Sequence, residues 1–227
     1  MTKEQYRVLE EYMLSCMEDS AHDREHIYRV LYNALEIAKG EENVNYDVLI
    51  TACLLHDVGR KEQFADPSVC HAVVGAQKAG RFLAEQGYAS DFADAVTHCI
   101  RTHRFRKAMP PQTLEAKILF DADKLDVTGA IGIARTLMYK ADMAEPLYHV
   151  LPDGRISDGS EDLGPSFFRE YKFKLEKMYD RFYTEAGETM SRQRQKIAVD
   201  FYESLDREVN TGHTEGQRML LQQISEK

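Results

Sequence analysis

Ala52-Cys53-Leu54-Leu55-His56-Asp57-Val58-Gly59 constrains this chain more than any other stretch. Val48, Leu49, Ile50, Ala52, Cys53, Leu54 and Leu55 are apolar nearly all round a helical projection, which predicts a central buried helix from Asp47. An imidazole and a carboxylate at the end of such a run are costly to bury unless paired, hydrogen-bonded or bound to metal. Gly59 supplies a stop, and Arg60 and Lys61 follow it. His-Asp alone is a weak signal, because a second copy stands at His22-Asp23. Its weight comes from His26 upstream and Asp121-Ala122-Asp123-Lys124-Leu125-Asp126 downstream.

The remaining periodicity is helical throughout, and no segment reads as a strand, so the expected class is all-α. A short amphipathic helix is predicted over about 4–18. A second begins near Asp23, a capping residue, and ends at Gly40. His26 lies in line with Val30, Ala34 and Ile37, on the edge of that helix's core stripe. Residues 60–67 read as a polar loop. Helices follow over 68–86, over about 90–103, and from near Thr113. On the last of these, Asp121 shares a face with Leu114, Ile118 and Leu125, and Asp123 with Ala116, Leu119, Phe120 and Val127. Both faces read as buried, so periodicity leaves the two aspartates open. Thr128-Gly129-Ala130-Ile131-Gly132-Ile133-Ala134-Arg135 suits close helix packing, and it lacks the preceding strand that a phosphate-binding loop needs. Residues 142–165 read as a loop or flap, and two long helices are predicted over 166–186 and 188–210. The polar tail from Asn210 is expected to be partly ordered at best. The organisation expected is one domain over 1–227, with a core at about 20–140 and the helices of about 166–210 packed on it.

Charge and cysteine usage remove several function classes. A net charge of −9 argues against a broad grip on nucleic acid polymer or anionic membrane, but not against a small phosphate pocket. No apolar run is long enough to span a bilayer, and the N-terminus lacks a signal-peptide core. Cys16, Cys53, Cys70 and Cys99 form no C-x-x-C pair and read as reduced thiols of a cytoplasmic protein.

His26, His56, Asp57 and Asp121 or Asp123 come from three helices, yet each leans toward a core. One shared divalent metal accounts for all of them together. Two imidazoles and two carboxylates form a hard N/O set, suited to six-coordinate Mn, Mg, Fe, Co or Ni with open positions rather than to closed structural zinc. A buried polar network is the plainer reading of the same residues. Lys61 after the His-Asp pair, Lys124 after Asp123, and Arg104 and Arg106 around Phe105 supply compact positive charge for phosphate. The plainer reading of the arginines is a solvated basic helix end.

His26…His56-Asp57…Asp123 resembles the H…HD…D signature of the HD-domain superfamily of metal-dependent phosphohydrolases. The local contexts His26-Ile27-Tyr28-Arg29-Val30, Leu54-Leu55-His56-Asp57-Val58-Gly59 and Ala122-Asp123-Lys124-Leu125-Asp126 are similar too, and the last favours Asp123 over Asp121. The run DADKLDVTGAIGIAR and the C-terminal helices resemble a branch of small bacterial HD-domain hydrolases. The resemblance implies an HD-type helical bundle with a C-terminal extension, and His26, His56, Asp57 and Asp123 as ligands of a divalent metal. Asp57 also becomes a candidate base for water. His71 and His103 sit where some HD enzymes place histidines for a second metal or for leaving-group protonation, with His98 ranked below them.

The function expected is hydrolysis of a nucleotide or another small phosphorylated metabolite, with Asp57, Lys61, His71 and His103 as catalytic candidates. Lys61, Arg104 and Lys124 are the substrate-binding candidates. Two alternatives stay open: an HD-type di-iron oxygenase, and a binding module that keeps a metal without turnover. An oligomer is compatible with the sequence and not specified by it.

Overall fold

A computed structural model describes residues 1–17, 24–104 and 109–224. His22, Asp23, Phe105 and Arg106, which figured in the sequence reading, lie outside the described residues. The chain is all-α, with α1 at Lys3–Ser15, α2 at Arg24–Ala38, α3 at Tyr46–Leu55, α4 at Arg60–Ala65 and α5 at His71–Glu85. Then come α6 at Ser90–Thr102, α7 at Leu114–Leu125, α8 at Gly129–Asp142, α9 at Phe167–Phe173 and α10 at Glu185–Gln223. Among the described residues no helix is long and apolar enough to cross a membrane.

Two compact units divide the residues. The first comprises 1–126 and 182–188, and the second 127–181 and the chain from 189 onward.

In the first unit α3 is the central element, as its apolar circumference dictates. Leu49, Ala52, Cys53, Leu54 and Leu55 are fully buried, and α3 packs against α1, α2, α6 and α7. Asn45 starts it by accepting the Val48 amide at 3.2 Å. α1 opens on a capping box between Thr2 and Gln5. α7 opens on Thr113, which accepts the Ala116 amide. α5 and α6 form a closely packed pair, and α2 pairs with α7.

Asp121 is fully buried and faces residues 182–188. Its carboxylate accepts the Tyr183 amide at 2.9 Å, the Thr184 amide at 2.8 Å and the Thr184 hydroxyl at 2.7 Å. Burial pushes its pKa up, and these hydrogen bonds oppose that shift. Thr184 Oγ1 in turn accepts the Gly187 amide at 3.1 Å, so the start of α10 is capped by its own threonine and by a carboxylate on α7. Gly187 is required there: a Cβ would lie 2.7 Å from both Asp121 Oδ2 and Thr184 Oγ1.

The second unit is built on Ile133, Ile156, Phe167, Phe168, Tyr171, Leu175, Tyr179, Ala198 and Tyr202. The Tyr171 and Tyr202 rings stack at 3.9 Å with planes 2° apart. Residues 142–165 form a loop that is tied down. Val150 and Ile156 make an antiparallel bridge, Leu151 donates to Arg155 O at 2.8 Å, and the Tyr202 hydroxyl donates to Asp158 O at 2.5 Å.

Three helical expectations are corrected. The 60–67 stretch holds α4, whose six residues are too few to show an apolar period. The helix expected over 166–186 stops at Phe173, is followed by a 3₁₀ turn at Leu175–Lys177, and does not resume until Glu185. The last helix continues well past Asn210 to Gln223.

The Asp121 contacts predict that Asp121→Ala destabilises the chain by about 2 kcal/mol or more, since each unsatisfied buried donor costs about 1–3 kcal/mol. Urea unfolding followed by circular dichroism tests this, and an unchanged midpoint would sink it.

Candidate metal centre

The centre lies where helix ends converge in the first unit. α3 runs out at Leu55, so His56 is its C-cap and Asp57 lies just beyond. The chain then turns through Val58 and Gly59 into α4. His71 opens α5, His103 caps the C-terminus of α6, His26 sits in the first turn of α2, and Asp123 is in the last turn of α7. Gly59 makes this convergence possible. A Cβ there would lie 2.3 Å from His71 O and 2.5 Å from Gly75 N, so only glycine lets the α3–α4 turn approach the start of α5.

The side chains form two clusters around one carboxylate. His26, His56 and Asp123 offer ligand atoms within 4.8 Å of one another, and so do Asp57, His71 and His103. Asp57 Oδ2 faces the first set, 3.5 Å from His26 Nε2 and 3.7 Å from His56 Nε2. Asp57 Oδ1 faces the second, 3.3 Å from His71 Nε2 and 3.7 Å from His103 Nε2. Asp123 Oδ1 stands 3.4 Å from His26 Nε2 and 3.9 Å from His56 Nε2. All four imidazoles and Asp57 are buried, and Asp123 is partly exposed.

Every ring is oriented through its other nitrogen. His26 Nδ1 donates to Asp126 Oδ2 at 2.7 Å, His56 Nδ1 to Cys53 O at 2.7 Å, His71 Nδ1 to Gln63 Oε1 at 2.6 Å and His103 Nδ1 to Ile100 O at 2.6 Å. Those acceptors hold the proton on Nδ1 and leave Nε2 as the lone-pair atom of the neutral ring. The Nε2 atoms then meet in pairs, His26 with His56 and His71 with His103, each at 3.3 Å. Two lone pairs at that distance repel unless a cation or a proton lies between them.

The electrostatics point the same way. Burial holds His56 down to about 4 and His71 down to about 2, so both are neutral. Burial also opposes charge on His26, but Asp123, Asp126 and Asp57 outweigh it and raise its pKa well above the usual range. Asp57 and Asp123 sit well below the usual carboxylate range, because the surrounding histidines, and Arg60 beside Asp57, overcome their desolvation. Without metal, a proton on His26 is the compensating cation of the first cluster. Asp57 Oδ1 is buried and accepts no hydrogen bond. A buried carboxylate oxygen that accepts no hydrogen bond, outward lone pairs and a hard N/O donor set fit a divalent metal.

The structure brings His26, His56, Asp57 and Asp123 together, and adds His71 and His103. It separates the two aspartates that periodicity left open: Asp123 faces the histidines and Asp121 holds residues 183–184. His98 is apart from both clusters, its Nε2 accepting the Gln112 amide at 3.2 Å. Lys61 is exposed on the first turn of α4. Arg104 follows His103 and has a guanidinium nitrogen 3.9 Å from Cys70 Sγ. Lys124 Nζ lies 4.5 Å from the Phe182 ring centroid.

Sequence reasoning did not assign Asp126, Arg29 or Gln63. Arg29 Nε binds Asp126 Oδ1 at 2.7 Å, and its NH2 binds Oδ2 at 3.1 Å, behind the bond from His26. A signal existed: Arg29 follows His26 by three residues, and Asp126 follows Asp123 by three, so each shares a helix face with a cluster residue. All four cysteines are free thiols.

Residues 24–128 match the family model of the HD domain, and this segment of the chain is similar to HD domains. YpgQ of Bacillus subtilis strain 168 is 28% identical over 197 residues, covering 85% of this chain and 86% of YpgQ. The crystal structure of YpgQ in complex with ADP aligns with a TM-score of 0.69 at 25% identity, covering 90% of this chain and 95% of that one. A predicted HD superfamily hydrolase from an uncultured Thermotogales bacterium aligns at 0.61 and 29% identity, covering 89% and 91%. An HD-superfamily hydrolase from Bacillus thuringiensis aligns at 0.71 and 28%, covering 91% and 97%.

The close approach at Gly59 predicts that Gly59→Ala lowers stability by about 1–3 kcal/mol, the usual cost of overpacking. Gly216→Ala, whose methyl meets nothing within 4 Å, does not. Equal urea midpoints for the two variants would refute the steric account.

Proposed function

We propose that the chain is a divalent-metal-dependent phosphohydrolase acting on a nucleotide or another small phosphorylated metabolite. The observation that carries this reading is the split of Asp57, whose two oxygens face two sets of outward imidazole lone pairs. His26, His56, Asp123 and Asp57 Oδ2 would hold one ion, and His71, His103 and Asp57 Oδ1 a second. The donor set suits Mn, Mg, Fe, Co or Ni. A divalent ion, when bound, supplies Lewis acidity toward water and a phosphoryl oxygen.

The chain's own residues supply the rest. The Nδ1 bonds to Cys53 O, Ile100 O, Gln63 and Asp126 fix the rings, so ligand geometry needs no reorganisation during reaction. Asp57 is held ionised, and in a one-ion enzyme its Oδ1 would be left to orient water or take its proton. In a one-ion enzyme, where neither imidazole is a ligand, His103 would be left to pass a proton to a leaving oxygen, and His71, which burial holds neutral, would be the poorer acid. Lys61 and Arg104, on α4 and at the end of α6, carry the positive charge that a phosphate requires. The ADP complex of YpgQ, a relative of the same fold, supports a nucleoside phosphate as the ligand class.

The same split favours a second reading, a di-iron centre that activates oxygen, because such chemistry needs a shared carboxylate and further histidines. Metal-stripped protein restored with Mn(II), Mg(II), Co(II) or Fe(II) separates the two. Phosphate or pyrophosphate release from a panel of nucleotides and sugar phosphates, lowered at least about 100-fold by Asp57→Ala, is the expected result. The product also names the bond cut. Oxygen uptake with iron alone, and no phosphate release with any metal, would replace this reading with the oxygenase. Asp126→Asn is expected to weaken metal binding by about 10–100-fold through loss of the carboxylate behind His26. Calorimetric titration reads this directly, and unchanged affinity would count against the role assigned to Asp126.

A further inference from the structure

The two sides of Asp57 are electrostatically unequal. Toward Oδ2 stands a second carboxylate, Asp123, and behind His26 a third, Asp126. Toward Oδ1, among the described residues, the cluster holds two imidazoles and no further carboxylate. A cation already stands on that side: Arg60 Nε lies 2.9 Å from Asp57 Oδ1.

The contact is close but poorly aligned. Neither Asp57 Oδ1 nor Arg60 Nε makes a hydrogen bond, so the N–H is not aimed at the oxygen. The guanidinium is tethered instead by NH1 to Gln63 Oε1 at 3.4 Å, a long bond to the same oxygen that takes the His71 proton at 2.6 Å. The Arg60 side chain is 30% exposed, which gives it a path to solvent. A divalent ion on Oδ1 and a guanidinium within 3 Å of that oxygen repel each other strongly in so buried a site.

We infer that Arg60 is a positioning residue that sets the order and strength of metal loading. It occupies the charge position of the second ion, so that the His26–His56–Asp123 side fills first and the His71–His103 side fills only when Arg60 moves out. This rests on the metal-centre reading given under Proposed function and goes beyond it, since that reading treats the two sides as equivalent. When Arg60 leaves, Gln63 Oε1 keeps the His71 proton, so the ring stays oriented for a ligand role.

The test is a Mn(II) titration of the metal-stripped full chain, followed by electron paramagnetic resonance for free ion and for spin-coupled pairs. Wild type, Arg60→Gln and Arg60→Lys are compared. In wild type the second ion should bind at least about tenfold more weakly than the first. Arg60→Gln should tighten the second ion by about tenfold or more, with the first unchanged within about twofold. Arg60→Lys, which keeps the charge, should stay close to wild type. Equal affinities at both positions in wild type, or an Arg60→Gln variant that loads like wild type, would overturn the proposal and leave the metal centre standing. Failure of wild type to bind any Mn(II) would overturn both.

Discussion

Everything in the first unit answers to one carboxylate placed where carboxylates are hardest to keep. Asp57 follows the most apolar helix of the chain and is almost wholly buried, yet it stays ionised. Such a group needs positive charge from nearby. The chain meets that need with the protonated His26 ring and with the Arg60 guanidinium one turn on, and the neutral rings around them offer lone pairs to a cation. The convergence of helix ends is therefore a requirement of the charge. A helix end frees backbone carbonyls, and two of those carbonyls, Cys53 O and Ile100 O, fix the rings that surround Asp57.

The site is a set of rigid rings because each imidazole is held from behind by a different kind of acceptor. Three have neutral partners, and His26 has a carboxylate that is itself neutralised by Arg29. That chain of charge, from Arg29 through Asp126 to His26, spans elements nearly a hundred residues apart. It reaches the protein exterior through the partly exposed Arg29, a second link to solvent beside the partly exposed Asp123.

Much of the helical framework was legible in the sequence, because α2, α3, α5, α6 and α7 carry long apolar patterns that only one period explains. The His and Asp residues were legible because they interrupt those patterns. α4 was not, since six residues of mixed polarity show no period. The far end of α10 was hidden because Thr211 to Gln217 offers no apolar stripe. The break after Phe173 was hidden for the opposite reason: Leu175, Met178 and Phe182 keep a helical period across a segment that leaves the helix. Asp121 and Asp123 could not be separated by periodicity, since both faces of α7 are buried. The distinction lies in what each face meets, backbone amides at 183–184 for one and imidazoles for the other, and partners that remote leave no local trace. Asp126 was visible as a residue and invisible as a partner for the same reason.

The contacts at Asp121 also bear on the order in which the chain is completed during synthesis. The helix that carries Asp123 is made early, yet its neighbour Asp121 faces amide donors supplied only by Tyr183 and Thr184. A growing polypeptide must therefore extend about sixty residues past α7 before that buried carboxylate finds its partners. Until then α7 holds an unsatisfied charge two residues before Asp123. The side chains of the centre lie between His26 and Asp126, but their support closes only when a late segment leaves the ribosome.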